Sequence, residues 1–214
     1  MDLRERFRDL WQRVKAKGDP DKVFDQISAY YSQAHRFYHT LEHIRFCLEL
    51  LDQFKGVVDD FDALEWAIWF HDLVYNIPGP DNEARSAEFA MQTARYADLD
   101  EDFALRVGRY IMITKGHKVG KKAPLEEKIV CDIDLAILGQ ASEVYDQYER
   151  NIWREFGTVY PRQAYCKGRS SFLDEIGRSK KIFLTPLFKK RFDCAAKANL
   201  ARTMEAFRVE MLTL

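Results

Sequence analysis

Two histidines, His39 and His43, lie four residues apart in the segment FYHTLEHIRF. If the segment is helical, this spacing puts both imidazoles on the face that continues through Phe46, Leu50 and Phe54. An imidazole on an apolar stripe needs a partner, because burying an unpaired polar group is unfavourable. The two histidines are therefore either hydrogen-bonded core residues or ligands of something in the interior.

A His-Asp dipeptide, His71-Asp72, occurs in a second apolar segment, EWAIWFHDLVYN. Read as a helix, this segment places His71 on the same face as Leu64 and Ile68. It is apolar almost all round, which predicts a central position in the core. Burial of a histidine and an aspartate there is unfavourable unless each is paired or bound to a cation.

Two aspartates, Asp132 and Asp134, interrupt a third apolar segment, EEKIVCDIDLAILG. On a helix they point about 200° apart, so one carboxylate faces inward if the other faces are packed. Three segments thus each offer a nitrogen or oxygen ligand to a common interior, as a divalent metal site requires. A fourth helical face ends in the polar ITKGH, and we expect its His117 at the mouth of the same cavity.

The elements that position these residues all show the 3.6-residue period, and no segment alternates at period two, so we predict an all-α fold. Glycine and proline fall between the periodic stretches. The predicted helices cover residues 2–16, 22–33, 38–54, 61–76, 82–97, 101–114, 124–138, 141–156, 161–177 and 186–211. We expect one domain over residues 1–214, with a metal-site core at roughly 35–140 and additional C-terminal helices at roughly 141–214.

The charge balance excludes several partners. The 214 residues include 33 basic and 34 acidic side chains, a net charge of -1, so no overall field favours a nucleic-acid polymer or an anionic membrane. No apolar run is long enough to span a bilayer, and the four cysteines form no C-x-x-C pair. We expect a cytoplasmic protein with reduced thiols. The amphipathic segment from Pro186 onward is a candidate surface for a second copy of the chain.

The metal-ligand candidates stand in an order that resembles a known signature. His39, then His71-Asp72, then an aspartate on a further apolar helix resemble the H…HD…D pattern of the HD-domain superfamily of metal-dependent phosphohydrolases. The resemblance extends to the branch of predicted metal-dependent HD phosphohydrolases over roughly residues 35–175. The segments that carry it are YHTLEHI, WFHDLVYN, DNEARSA, ITKGH, DIDLAILG, YDQYERNIWREF and YCKGRSSFL.

The resemblance implies an HD-like helical bundle with a metal bound by His39, His71, Asp72 and Asp132. His43 and Asp134 stay open as ligands in place of His39 and Asp132. Two imidazoles and two carboxylates leave positions for water on an octahedral ion, which suits Mn²⁺, Fe²⁺, Co²⁺, Ni²⁺ or Mg²⁺. Such an ion acidifies water and polarises a phosphoryl oxygen.

We therefore expect hydrolysis of a phosphoester or phosphoanhydride in a small phosphorylated compound, with a nucleotide as one option. Asp72 is expected to orient the attacking water as well as to bind the ion. Two alternatives come from other classes. One is a di-iron oxygenase in which His43 and His117 supply extra ligands, and the other is a non-catalytic sensor or interaction module stabilised by metal.

The remaining site candidates each have an ordinary structural explanation. Arg36, Lys118 and Arg169 are candidate phosphate ligands, although lysines in a loop such as KGHKVGKK are usually solvated. Asn82 and Glu83 either face the site, as a substrate contact and a catalytic carboxylate, or simply begin a helix. His117 is the other catalytic candidate, at the lip of the cavity.

Overall fold

The structure, a computed structural model, describes residues 2–120, 122–178 and 181–213. Within these ranges all regular structure is helical and no β-strand occurs, which confirms the predicted all-α fold. The residues outside the described ranges are Met1, Lys121, Ser179, Lys180 and Leu214. The predicted domain includes all five, and Lys121 belongs to the KGHKVGKK loop.

Ten α-helices occur in the described residues. They are α1 Leu3–Arg13, α2 Pro20–Tyr31, α3 Leu41–Leu51, α4 Phe61–Phe70, α5 Asn82–Tyr96, α6 Glu101–Thr114, α7 Leu125–Leu135, α8 Ser142–Phe156, α9 Arg162–Gly177 and α10 Pro186–Glu210. Short 3₁₀ turns at Asp52–Phe54 and Ala136–Gly139 follow α3 and α7. Every predicted end lies within three residues of the observed one except the end of α4. That helix is predicted to reach residue 76 and ends at Phe70.

Side-chain caps begin several of these helices. Asp2, Asp19, Asp100 and Thr185 each accept a hydrogen bond from a backbone N–H in the first turn of the helix that follows. Such a cap satisfies one of the donors that a helix leaves unpaired at its N-terminus. The polar residues that punctuate the sequence therefore determine where these helices start.

The chain divides into two compact units, Met1–Ile133 and Asp134–Leu214, and the boundary falls inside the continuous helix α7. In the first unit, α4 packs against α1, α3, α5 and α6. Residues 63–70 of α4 are all buried, as its apolar composition predicts. Trp66 stacks on Trp11 with ring centroids 5.5 Å apart, and Trp69 meets Phe7 edge to face at 5.3 Å. The core of this unit therefore fixes α4 along its length.

A buried ion pair joins α1 to α4. Arg6 Nε donates to Glu65 Oε1 at 2.8 Å, and Arg13 Nη2 donates to the other oxygen of the same carboxylate at 2.5 Å. Arg6 also holds both oxygens of Asp52, at 2.7 and 2.8 Å. Because the Glu65 carboxylate lies inside the unit, these charged hydrogen bonds compensate its loss of hydration.

In the second unit, α10 packs on α9 and on the 3₁₀ turn that follows α7. Asn199 on α10 donates to the carbonyls of Leu138 and Gln140, at 3.0 and 2.9 Å, and so pairs the free carbonyls at the end of that turn. Among the helices of the described residues, none has both the length and the apolar composition needed to cross a bilayer. The prediction of one domain over residues 1–214 stays a prediction.

Candidate metal centre

The His-Asp dipeptide lies at the C-terminal end of α4. His71 is the residue that follows the last helical position, and Asp72 stands in the turn beyond it. The prediction that both project from a helix continuing to residue 76 is therefore wrong. His71 Nδ1 is 2.9 Å from the carbonyl of Ile68, the acceptor that the backbone N–H of Asp72 would use if the helix went on. The side chain replaces the backbone at this acceptor, and the helix ends.

The same hydrogen bond sets the tautomer of His71. A carbonyl oxygen only accepts, so Nδ1 carries the proton, and in the neutral form of this ring the lone pair lies on Nε2. This Nε2 lies 3.2 Å from Asp72 Oδ2 and 3.2 Å from the Nε2 of His43. A metal-binding histidine commonly donates its other ring N–H to a backbone carbonyl in this way.

His43 lies in the first turn of α3 and is buried. Its Nε2 is 3.6 Å from Asp72 Oδ2, so both imidazoles direct a nitrogen toward the same carboxylate oxygen. The Sγ of Cys47, one turn further along α3, lies 3.7 Å from each ring nitrogen, and the ring of Tyr38 packs against the imidazole at 4.8 Å between centroids. These contacts restrict the imidazole from both sides.

His39 precedes α3 and is not part of it. Thr40 has an extended backbone and accepts the N–H of Glu42, so the helix begins at Leu41. The predicted helical face shared by His39 and His43 is therefore wrong. The imidazole of His39 packs on the ring of Tyr75 at 4.1 Å between centroids, and its Nε2 still lies 3.9 Å from Asp72 Oδ2.

Four side chains form a group that could hold a metal ion: His43, His71, Asp72 and Asp134. One ligand atom from each lies within 4.8 Å of the others. Asp134 follows Ile133 in the continuous helix α7. Two nitrogens on one ion at about 2.1 Å are about 3.0 Å apart at a right angle and about 3.4 Å apart at the tetrahedral angle. The 3.2 Å between the two Nε2 atoms fits this range.

The chain matches no protein-family model, no curated protein and no solved structure. Support for a metal centre therefore comes from the geometry of the residues themselves.

The group contains the two residues that the sequence leaves open as alternative ligands, His43 and Asp134. It does not contain His39 or Asp132. Asp132 lies on α7 and is fully buried. Which of these four residues bind a metal stays a prediction.

Burial differs across the group. The imidazoles of His43 and His71 are buried, whereas the carboxylates of Asp72 and Asp134 are partly exposed. The Asp72 charge also acts on a neighbouring phenol, because burial and then this carboxylate raise the pKa of Tyr31 well above its ordinary value. Tyr31 therefore stays protonated and donates to the carbonyl of Trp69 at 3.1 Å. In the metal group, the histidine nitrogens are therefore buried, and the aspartate oxygens are on the side that water can reach.

Arg36, a candidate phosphate ligand, is buried and donates to backbone carbonyls. Its Nη1 donates to His39 O at 3.1 Å and to Asp72 O at 2.7 Å, and its Nη2 donates to Leu73 O at 2.6 Å. Asn82 likewise hydrogen-bonds the backbone of the segment after α4. Its amide donates to Asn76 O at 2.9 Å and accepts the Asn76 N–H at 3.0 Å. Both side chains thus support the segment that follows α4.

The other candidates lie at helix ends or in the second unit. Glu83 is in the first turn of α5, as expected for a residue that begins a helix. His117 follows α6 with a φ of +54°, is half-buried and is not in the metal group, and Lys118 is exposed. Arg169 makes a two-pronged ion pair with Glu149, at 2.6 and 3.2 Å. Their catalytic and substrate-binding roles stay predictions.

Arg169 also donates to the Tyr148 hydroxyl at 2.7 Å. Burial opposes its charge, but Tyr148 and Glu149 outweigh this and raise the pKa of Arg169 well above its ordinary value. Burial likewise raises the pKa of Tyr148 to about 12. Arg169 therefore remains a cation that is already paired with a carboxylate, unlike an open phosphate ligand.

Ser86 is a supporting residue that the sequence reasoning does not identify. Its Oγ accepts the N–H of Val74 at 3.0 Å and lies 3.4 Å from the carbonyl of the same residue. His35 is another, since its Nε2 donates to Tyr75 O at 2.9 Å. Ser86 is part of the DNEARSA segment, whose link to the turn after α4 is a long-range contact that no local pattern encodes.

Proposed function

We propose that this chain is a metal-dependent phosphohydrolase of the HD superfamily, acting on a phosphoester or phosphoanhydride of a small phosphorylated compound. The observation that supports the metal site is the convergence of the His43 and His71 nitrogens on one oxygen of Asp72. The resemblance of the H…HD…D segments supports the superfamily and the class of substrate.

The donor set fits a divalent cation. The Nδ1 proton of His71 is held by the Ile68 carbonyl, so Nε2 is available as a ligand without a change of tautomer. His43, Asp72 and either Asp134 or Asp132 would complete the set, with His39 adjacent. Mixed nitrogen and oxygen donors suit Mn²⁺, Fe²⁺, Co²⁺, Ni²⁺ or Mg²⁺. When bound, such an ion supplies a Lewis acid for water and for a phosphoryl oxygen.

The exposed side of the group favours a catalytic site over a purely structural one. A structural metal site is usually closed by its protein ligands, whereas a catalytic site keeps a position for water or substrate. Here the partly exposed Asp72 carboxylate can accept a hydrogen bond from an incoming water and orient it. The buried imidazoles on the other side exclude solvent from the nitrogen donors.

The deciding experiment is elemental analysis of protein purified without chelators or a metal-affinity step. We expect about one transition-metal ion per chain in the wild type. His43→Ala, His71→Ala and Asp72→Ala should each lose it. The matched control is His117→Ala, which changes a histidine outside the group and should keep the metal. A panel of phosphoesters and phosphoanhydrides is then assayed with the ion that was found.

Three further variants, compared with His43→Ala, assign the open positions. His39→Ala and Asp132→Asn are compared with His43→Ala and Asp134→Asn, and the ligand of each pair is the one whose loss removes the ion. About two equivalents of iron per chain would instead favour the di-iron oxygenase. Bound metal without turnover of any phosphoester or phosphoanhydride would favour the non-catalytic module. A wild type that takes up no ion would refute the proposal.

A further inference from the structure

Arg36 lies where the two segments that carry the candidate ligands meet. One segment precedes α3 and contains His39, and the other follows α4 and contains His71 and Asp72. The guanidinium bonds the carbonyls of His39, Asp72 and Leu73 at 2.6 to 3.1 Å. A single side chain therefore joins the backbones of both segments.

Neighbouring side chains in turn hold the Arg36 guanidinium in place. Its carbon lies 5.1 Å from the ring centroid of Tyr31 and 5.4 Å from that of Tyr75. Its Nε lies 3.3 Å from Gln33 Oε1. The residue is 5% exposed. A planar group with five N–H donors in a fixed fork can bridge several carbonyls at once, which a lysine ammonium cannot do with the same geometry.

These contacts also pair carbonyls at the end of α4 and in the turn after it. The carbonyls at the end of a helix lack intrahelical partners, and basic side chains often pair with them. Here Tyr31 donates to the Trp69 carbonyl, Arg36 donates to the Asp72 and Leu73 carbonyls, and His35 donates to that of Tyr75. Residues from the end of α2 onward thus hold the whole turn on one side.

We infer that Arg36 is a positioning residue of the metal centre, which sets the affinity for the ion by fixing the His39 and Asp72 backbones relative to each other. This inference rests on the proposed metal site. It assigns Arg36 a role behind the ligands, whereas the sequence places it among the phosphate contacts. The expected loss of metal affinity on disturbing such a supporting contact is about 10- to 100-fold.

The test compares Arg36→Lys with Arg6→Lys. Arg6 is a matched control because it lies in the same unit and is 7% exposed, but its guanidinium bonds the Glu65 and Asp52 carboxylates. The dissociation constant for Co²⁺ and the visible spectrum of the Co²⁺ complex are measured for both variants and the wild type. The free energy of unfolding of each metal-free protein is measured in urea.

We expect Arg36→Lys to weaken Co²⁺ binding at least 10-fold and to change the spectrum. Arg6→Lys should lower stability while leaving the dissociation constant within 2-fold of the wild type. Unchanged Co²⁺ binding in Arg36→Lys overturns the inference, and so does equal weakening in both variants, since affinity would then only follow stability. A wild type that binds no Co²⁺ overturns the proposed function as well. Failure of the proposed function is thus seen in the wild type, whereas failure of the inference about Arg36 alone is seen only in the variants.

A second variant keeps the test decisive if Arg36→Lys does not fold. Arg36→Ala leaves a space between two tyrosine rings that a guanidinium ion can enter. Added guanidinium at concentrations well below those that denature should restore Co²⁺ binding, whereas ammonium at the same ionic strength should not. Equal effects of the two cations, or no recovery with either, would count against a bridging role.

Discussion

Replacement of Glu65 by glutamine tests whether the buried ion pair holds α1 on α4. Glu65 is 1% exposed, and its two oxygens accept from Arg6 and Arg13 at 2.8 and 2.5 Å. Glutamine keeps the shape but removes the charge, and its amide NH₂ cannot accept from a guanidinium. One of the two arginines therefore faces a donor in place of an acceptor.

The magnitude follows from the partners that remain. Removing one member of a buried ion pair costs about 3 to 5 kcal/mol when the other charge is left alone. Arg6 is not left alone, because Asp52 still bonds it through both oxygens. We therefore expect the free energy of unfolding to fall by about 3 kcal/mol. For a protein of this size the melting temperature should fall by roughly 6 to 12 °C.

The assay is urea and thermal unfolding followed by circular dichroism. The control is Glu101→Gln, which breaks a similar two-pronged pair with Arg95 at 2.6 and 2.8 Å on the surface. Solvent screens that exposed pair, so its loss should have a much smaller effect. If Glu65→Gln lowers the melting temperature no more than Glu101→Gln does, the reasoning about burial is refuted.

Three further predictions concern the second unit and the thiols. A Cβ at Gly139 would clash with the Cβ of Phe192 on α10, so Gly139→Ala should destabilise by about 1 to 3 kcal/mol. Gly168→Ala in the open middle of α9 should stabilise slightly, and equal urea midpoints for the two variants would contradict this. Burial opposes ionisation of Asp193, but hydrogen bonds from Lys197 and a backbone N–H outweigh it and lower the pKa of Asp193. The Asp193 carboxylate thus stabilises the fold above pH about 4, and this stabilisation is lost at lower pH. The difference in free energy of unfolding between wild type and Asp193→Asn should therefore shrink between pH about 6 and 3, and a constant difference would refute this. Of the four cysteines only Cys194 is exposed, so a thiol reagent should label this cysteine fast and the other three only after denaturation. Fast labelling of a second cysteine in the folded protein would contradict the observed burial.

Most of the fold could be predicted because helix periodicity and caps are local signals. Asp100 precedes α6, which begins at residue 101 as predicted, and α2 begins at Pro20 after Asp19, two residues before its predicted start. The largest error is the end of α4, predicted at residue 76 and observed at Phe70. The apolar pattern continues through Leu73 and Val74, which are buried outside any helix. Periodicity reports burial there, and burial does not require a helix.

Residue types indicate the candidate site better than helical geometry does. The sequence placed His39 and His43 on one helical face, yet Thr40 starts the helix between them. Both still direct a nitrogen toward Asp72, because the segment before α3 passes the end of α4. Arg36 bonds the His39 carbonyl on one segment and, on the other, carbonyls that are up to 37 residues away from it. No local pattern contains that information.

One hydrogen bond connects the error in the helix to the chemistry of the site. When His71 Nδ1 takes the Ile68 carbonyl, it ends α4 and also fixes the tautomer that leaves Nε2 available. In a helix that continued to residue 76, the Asp72 N–H would donate to that carbonyl. Asp72 would then project from a helix flank, without the turn that brings its oxygen to 3.2 Å from Nε2. The point where the apolar pattern fails as a helix predictor is therefore the point where the ligand geometry is made.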